Sequence, residues 1–401
     1  MSKYLFSLLL LVLLSAACTP GATPTPTPPS AVDLLLTSQP PGTGIPTALP
    51  PEIVAAADSE YLLLANIYAR VSPSVVALEV ITTDGQSERA AGFVYDTQGH
   101  IVTGAHVVTN VGQMRAFFSD GYIADVQIAG VDTFSDLALL QVSVDDSHLH
   151  PVTLGDSDAL RVGQRALVIG NPFGLANSMT TGIISGVGRR LASAELIGGG
   201  MVRGFQNPSI IQVDASISGG NSGGPLLNSG GEVIGVVSAI QTESGSFQGV
   251  GFAIPSNTVS RIIPQLIATG SVSYAWLGVN TFREDSGISL AGLAEPLNLP
   301  VSEGVLVTSV TLGSPADTAG IRGGSAVTTT WGRDICTGGD IIVAINGTYL
   351  ANMSDLLTYL IMNTAPGDEV TLTIIRGGQT LDVPVTLATR PTSGGAISEC
   401  E

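Results

Sequence analysis

At about 100 to 200 residues per domain, a chain of 401 residues is long enough for two or three domains, each with its own core. Its 15 Lys and Arg against 33 Asp and Glu give a net charge of -18, which excludes the basic excess that a nucleic-acid partner requires. Only 12% of residues are charged and 44% are hydrophobic, with 49 Gly and 23 Pro, so disorder throughout is excluded and turn-rich β structure is favoured over long helices.

The N-terminus carries Lys3, an apolar stretch from Tyr4 to Leu14, and the small residues Ser15, Ala16 and Ala17 before Cys18. This reads as an export signal over residues 1–17, too short to span a bilayer. Small residues before a cysteine resemble a bacterial lipoprotein processing site, in which Cys18 is lipidated and anchors the chain to a membrane. Ser15 stands where that pattern usually has an aliphatic residue, and plain secretion after Ala17 is the other reading, with an uncleaved anchor a third. All three put the folded part outside the cytoplasm. Residues 18–56, with the run TPTPTPP at 23–29, offer no apolar face, and they predict either an extended spacer or a disordered leader.

The folded part begins near residue 57. Leu62, Leu63, Ile67 and Ala69 predict a short helix from Ser59, as its cap, to Arg70. From Val75 to Ile254, β-branched runs such as VVALEVI, GFVYD, ALLQVSV, RALVIG and EVIGVVSAI alternate with Gly-rich turns, predicting a mainly β barrel or sandwich. Val259, Ile262, Ile263 and Leu266 share one face of a closing helix over 257–267, so a first domain over 57–270 is expected. Residues 271–390 alternate strand and helix signals, ending in the hairpin VTLTII-RGGQ-TLDVPVTL, and predict a small α+β module with a tail over 391–401.

Glycines flank one serine in Gly219-Gly220-Asn221-Ser222-Gly223-Gly224. That pattern lets the backbone turn tightly and aim successive N–H groups inward, as an oxyanion hole must. His106 ends the apolar run of TGAHVV, and Asp136 precedes the apolar LALL, where a buried carboxylate needs a partner such as the His106 N–H. Asp214 and Asp132 are competing acids, the former expected to be structural on its strand and the latter in a turn. His100 is expected to face solvent. His148 and His150 form an HxH beside Asp145 and Asp146, read as a solvated loop. With no CxxC and no HExxH, neither a metal nor a cofactor is expected. Cys336 and Cys400 remain beside Cys18, either paired as a disulfide or free.

These motifs occur in the order RVSPSVV, GFVYDTQGHIVTGAHVV, SDLALLQV, LGDSDALRVGQRALVIGNPFG, IQVDASISGGNSGGPLLN, GEVIGV and GVGFAIPS. Over roughly residues 60–390 the chain resembles the HtrA (Deg) family of envelope serine proteases. The resemblance implies a chymotrypsin-like double β-barrel followed by a PDZ domain. It further implies Ser222 as nucleophile, His106 as general base and Asp136 as its orienting acid, with the backbone of Gly220, Asn221 and Ser222 as oxyanion hole. Ile217 and Ile240 would line an apolar pocket favouring cleavage after small aliphatic residues, and Arg189 would sit where relatives link regulatory loops. Trp276, Leu277, Gly278 and Val279 resemble the loop that catches peptide C-termini, with Met353, Leu356 and Leu357 completing the groove. An insertion near 325–337 departs from the family and carries Cys336.

By the same resemblance the partners are unfolded polypeptides, peptide C-termini and two further copies in a homotrimer, cut without ATP. A non-catalytic chaperone or PDZ-type sensor is the alternative, and intact His106, Asp136 and Ser222 weigh against it.

Overall fold

The computed structural model describes residues 50–171, 177–192, 206–240, 249–282, 289–391 and 400. The chain forms two compact units, Met1–Leu62 and Leu63–Glu401. The export signal and Cys18 lie outside the described residues. Helix α1 (Pro51–Val71) starts well before the expected Ser59. Proline suits a first helical turn because its missing N–H would have no partner there, and Glu52 beside it favours the helix dipole. Ser59 is interior to the helix, its hydroxyl donating to Ala55 O at 2.9 Å.

In the second unit, strands β1 (Val75–Thr82), β2 (Ser87–Val94), β3 (His100–Gly104), β4 (Val111–Phe117), β5 (Ile123–Asp125), β6 (Gln127–Asp132) and β7 (Leu137–Gln141) form one antiparallel sheet. Their order is β5-β4-β1-β2-β3-β7-β6. Strands β8 (Arg165–Gly170), β9 (Ser178–Ala192), β10 (Gln206–Val213), β11 (Pro225–Leu227), β12 (Val233–Ile240) and β13 (Gly251–Pro255) close into a barrel in the order β10-β13-β12-β11-β8-β9.

The apolar runs of β3 and β7 lack polar alternation because both of their faces are covered. Val102, Leu137 and Leu139 face a core shared with the barrel residues Leu167, Ile169 and Val236. Ile101, Ala138 and Leu140 point the other way, into the core of the first sheet. Two-sided burial of this kind contributes about 1.5–3 kcal/mol per large aliphatic side chain and locks strand register, since a one-residue slip would exchange the two sets. Helix α2 (Ser256–Thr269) lays Val259, Ile262, Ile263 and Leu266 into the shared core, and Gly270, at φ 72°, ends it.

The rest of the unit is an α+β module. Strand β14 (Ala275–Trp276) pairs with the last strand, and β15 (Val279–Asn280) follows. Next come α3 (Leu290–Ala294), β16 (Val305–Leu306), β17 (Ser309–Val310), α4 (Pro315–Thr318), β18 (Ala326–Thr330), β19 (Arg333–Thr337), β20 (Ile341–Ile345), β21 (Thr348–Tyr349) and α5 (Met353–Asn363). The hairpin β22 (Glu369–Arg376) and β23 (Gln379–Thr386) precedes β24 (Ala388–Thr389). The main sheet runs β16-β20-β22-β23 with β21 beside β20, and Leu356 of α5 packs with Ile342 and Leu372 beneath it. Buried Asp340 takes paired contacts of 2.7 Å from Arg376 Nε and Nη2. The insertion forms the hairpin β18–β19, with exposed Trp331 at its tip, and Cys336 is bonded to Cys400.

Candidate active site

Strand β3 breaks at Gly104 into a 3-10 turn, Ala105–Val108, that carries His106. Gly104 is required there, because a Cβ at that position would press into the imidazole ring. Asp136 sits between β6 and β7 with φ 57° and a carboxylate fully closed to solvent. Its oxygens each lie 2.9 Å from His106 Nδ1, and Oδ1 also accepts the His106 backbone N–H at 2.9 Å. The Ser238 hydroxyl donates to Oδ2, and the Asp136 carbonyl accepts from the Ala105 N–H at 3.1 Å.

An ionised carboxylate can only accept, so this arrangement puts the imidazole proton on Nδ1 and leaves Nε2 as a base. Nε2 is buried and has no hydrogen-bond partner among the described residues. Burial works to lower the His106 pKa, but the charge and hydrogen bond of Asp136, with a contribution from Glu88, outweigh it and hold the imidazole above its ordinary value.

Ser222 follows the turn Gly219–Asn221 and is fixed from both sides of the shared core. Its carbonyl accepts the Ala91 N–H of β2 at 2.9 Å, while the next amide, of Gly223, donates to Val237 O of β12 at 2.7 Å. Gly223 has φ 81°, and any side chain there would overlap Thr103 Oγ1 and Ala91 O. The Gly220 carbonyl accepts from the Asn171 N–H at 2.8 Å, and the Asn221 amide group donates to Ser216 O at 3.2 Å. Among the described residues, Ser222 Oγ makes no hydrogen bond to His106 Nε2. Ile217 is buried against Gly251, where a Cβ would collide with its Cδ1. The side chains of Ile240 and Arg189 lie outside the described residues.

Two readings of single residues are corrected. His100 does not face solvent; it is buried as the first residue of β3, with Nδ1 2.6 Å from Asp96. Asp132 does not sit in a turn but is the buried last residue of β6. Asp214 is exposed and accepts the Ile183 N–H at 2.6 Å. His148 lies 2.5 Å from Asp120 and stacks on Tyr122, whereas His150 is exposed. Sequence reasoning missed Ser238; its only trace is a lone hydroxyl inside the apolar run VIGVVSAI.

In the second module, the Leu277 carbonyl accepts from Ala316 N–H at 2.9 Å and the Gly278 carbonyl from Thr311 N–H at 2.8 Å. These bonds fix the Trp276–Val279 loop, in which Leu277 is buried and Gly278 is left-handed at φ 90°. Leu356 is wholly buried in the core and Met353 packs against it, so those two side chains face inward.

A seven-stranded sheet joined to a six-stranded barrel, with His106, Asp136 and Ser222 at the seam, defines a trypsin-like fold, and the module after it has the strand and helix order of a PDZ domain. The family descriptions agree: Trypsin-like peptidase domain matches residues 90–236 and PDZ domain matches 276–387. The chain is 39% identical over 302 residues to Protease Do-like 1, chloroplastic, of Arabidopsis thaliana, covering 75% of this chain and 64% of that protein. It is 37% identical over 303 residues to the Periplasmic pH-dependent serine endoprotease DegQ of Escherichia coli (strain K12), covering 76% and 59%. It therefore spans less than two thirds of the length of these curated relatives. The solved structure of the HtrA-type protease AlgW with tripeptide matches with a TM-score of 0.66 and 30% identity, over 82% of this chain and 97% of that one. The chain belongs to the HtrA (Deg) family.

Proposed function

We propose that this protein is an extracytoplasmic serine endopeptidase that cuts unfolded or damaged polypeptides. The observation that carries the reading is the His106–Asp136 pair, which fixes the proton on Nδ1 and leaves Nε2 free to act as a base. Ser222 Oγ attacks the scissile carbonyl as its proton passes to Nε2. The imidazolium, stabilised by Asp136, then returns that proton to the leaving amine, giving an acyl-enzyme. Water repeats the cycle and releases the acid. The amides of Gly220 and Ser222, separated by Asn221, hold the oxyanion. The apolar wall at Ile217 favours small aliphatic side chains before the cut, with Ile240 opposite it.

Binding of peptide C-termini at Trp276–Val279 delivers substrate or regulates the site. The domain limits read from the sequence, 57–270 and 271–390, the homotrimer and the Cys18 anchor belong to the same proposal. The periplasmic names of relatives support its location.

Digestion of unfolded casein by the wild type and by Ser222→Ala tests the reading. Turnover falls by about 10,000-fold or more while the fold and casein binding persist. Undiminished cleavage by the variant contradicts it.

A further inference from the structure

Asp132 is a buried carboxylate with no part in the chemistry above, and it receives more hydrogen bonds than its own turn requires. Oδ1 accepts the Phe134 N–H at 3.2 Å, and Oδ2 accepts the Ser135 N–H at 3.3 Å together with the Ser135 hydroxyl. These bonds close the turn Thr133-Phe134-Ser135 that delivers Asp136. A further donor comes from far along the chain, the hydroxyl of Tyr274, which also bonds Oδ2. Asp132, Ser135 and Tyr274 are all buried.

The surroundings of Tyr274 extend this link into the second module. Its ring meets Phe134 edge-on at 5.6 Å, and the Arg390 guanidinium lies 5.7 Å from the Phe134 ring centroid. The Arg390 N–H donates to the Tyr274 carbonyl at 2.9 Å. Tyr274 and Arg390 flank the paired strands β14 and β24, in which Ala275 faces Thr389. The residue after Ala275 is Trp276, the start of the carboxylate loop. The turn that carries Asp136 is thus gripped by the two chain segments that open and close the second module.

Asp136 needs such a grip. Its left-handed conformation is unfavourable for a residue with a side chain and persists only where its surroundings over-determine it. Burial raises the Asp132 carboxyl above its ordinary value against the pull of the Ser135 and Tyr274 hydroxyls. Burial and the nearby Asp132 charge hold the Tyr274 phenol well above its own, so at neutral pH the phenol keeps its proton and remains a donor.

We infer that Asp132 and Tyr274 are positioning residues for the proposed hydrolysis: their hydrogen bond holds the 133–135 turn so that Asp136 stays aimed at His106, and it ties that aim to the root of the PDZ carboxylate loop. The inference rests on the triad reading.

Full-length Tyr274→Phe and Asp132→Asn are compared with wild type on a short chromogenic peptide. Tyr274→Phe keeps the ring against Phe134 and removes only the donor. Its kcat falls about tenfold, its KM stays within about twofold, and the acid limb of its pH–rate profile moves to lower pH, because His106 loses part of the Asp136 contact that raises it. Asp132→Asn keeps an acceptor for the Tyr274 hydroxyl and gives a smaller drop with the same direction of pH change. In the double variant kcat falls by less than the product of the two single factors. Wild-type kcat and an unmoved acid limb in both single variants overturn the inference, as does a loss confined to KM. Ser222→Ala in the same assay separates the two claims: it is inactive if the triad reading holds and only the positioning pair fails, and active if the triad reading itself fails.

Discussion

The seam of the trypsin-like fold and the PDZ module are held by different physics. At the seam, buried polar groups bind one another across long sequence distances: Ser238 reaches Asp136, Ala91 reaches the Ser222 carbonyl, and Gly223 reaches Val237. Conformations that side chains resist, at Asp136 and Gly223, persist because neighbours on both sides hold them. The described residues of the PDZ module hold an apolar core, an ion pair between buried Asp340 and Arg376, and a covalent link, Cys336–Cys400. The trypsin-like seam is over-determined by many weak contacts, and the PDZ module relies on a few strong ones.

Breaking those strong contacts gives the largest stability effects expected here. Arg376→Ala removes both guanidinium contacts from buried Asp340, leaving it the Arg322 N–H at 2.8 Å, and costs about 3 kcal/mol in the unfolding of the PDZ module, measured by denaturant titration. Hydrolysis of short peptides persists wherever the module remains folded. A loss of comparable size follows from Cys400→Ser, which opens a link between residues 64 apart and costs about 2–4 kcal/mol. It is read as an earlier unfolding transition that the wild type reproduces on reduction. An Arg376→Ala module as stable as wild type would break the contrast.

The smallest effect concerns the seam itself and runs in opposite directions for stability and activity. The His106 pKa is raised in the folded state. Its contribution to stability is therefore fully present below the ordinary imidazole pKa and is lost as pH rises through the raised one. Catalysis needs the neutral base, so kcat/KM rises over that same interval, and its acid limb lies above the ordinary imidazole value. Parallel pH titrations of stability and rate test the pairing of the two trends.

Much of the seam was legible because His106 and Asp136 stand where an apolar strand breaks and Ser222 stands among glycines, and such signals are visible in one dimension. Strands β4, β5 and β6 were not legible: VGQMRAF, IAD and QIAGVD are partly exposed and interrupted by polar residues, so neither alternation nor a continuous apolar run marks them. The start of α1 was hidden for a similar reason, since PEIVAAADSE has a weak apolar stripe and its helical signal is Pro51 with Glu52. Ser238 and Tyr274 were out of reach on other grounds. Each acts on a carboxylate more than 100 residues away, at separations of 102 and 142, and no local pattern encodes such a contact. The insertion at 325–337 stood out by length, but its hairpin form depends on the pairing of Ala326 through Thr330 with Arg333 through Thr337.

The central claim, that His106 Nε2 is the base for Ser222, is tested most directly by covalent labelling with a fluorophosphonate, followed by peptide mass mapping. The account predicts a single adduct on Ser222 that forms rapidly in wild type, about 1,000-fold or more slowly in His106→Ala, and not at all in Ser222→Ala. Equal labelling rates in wild type and His106→Ala, or an adduct on another residue, would contradict it.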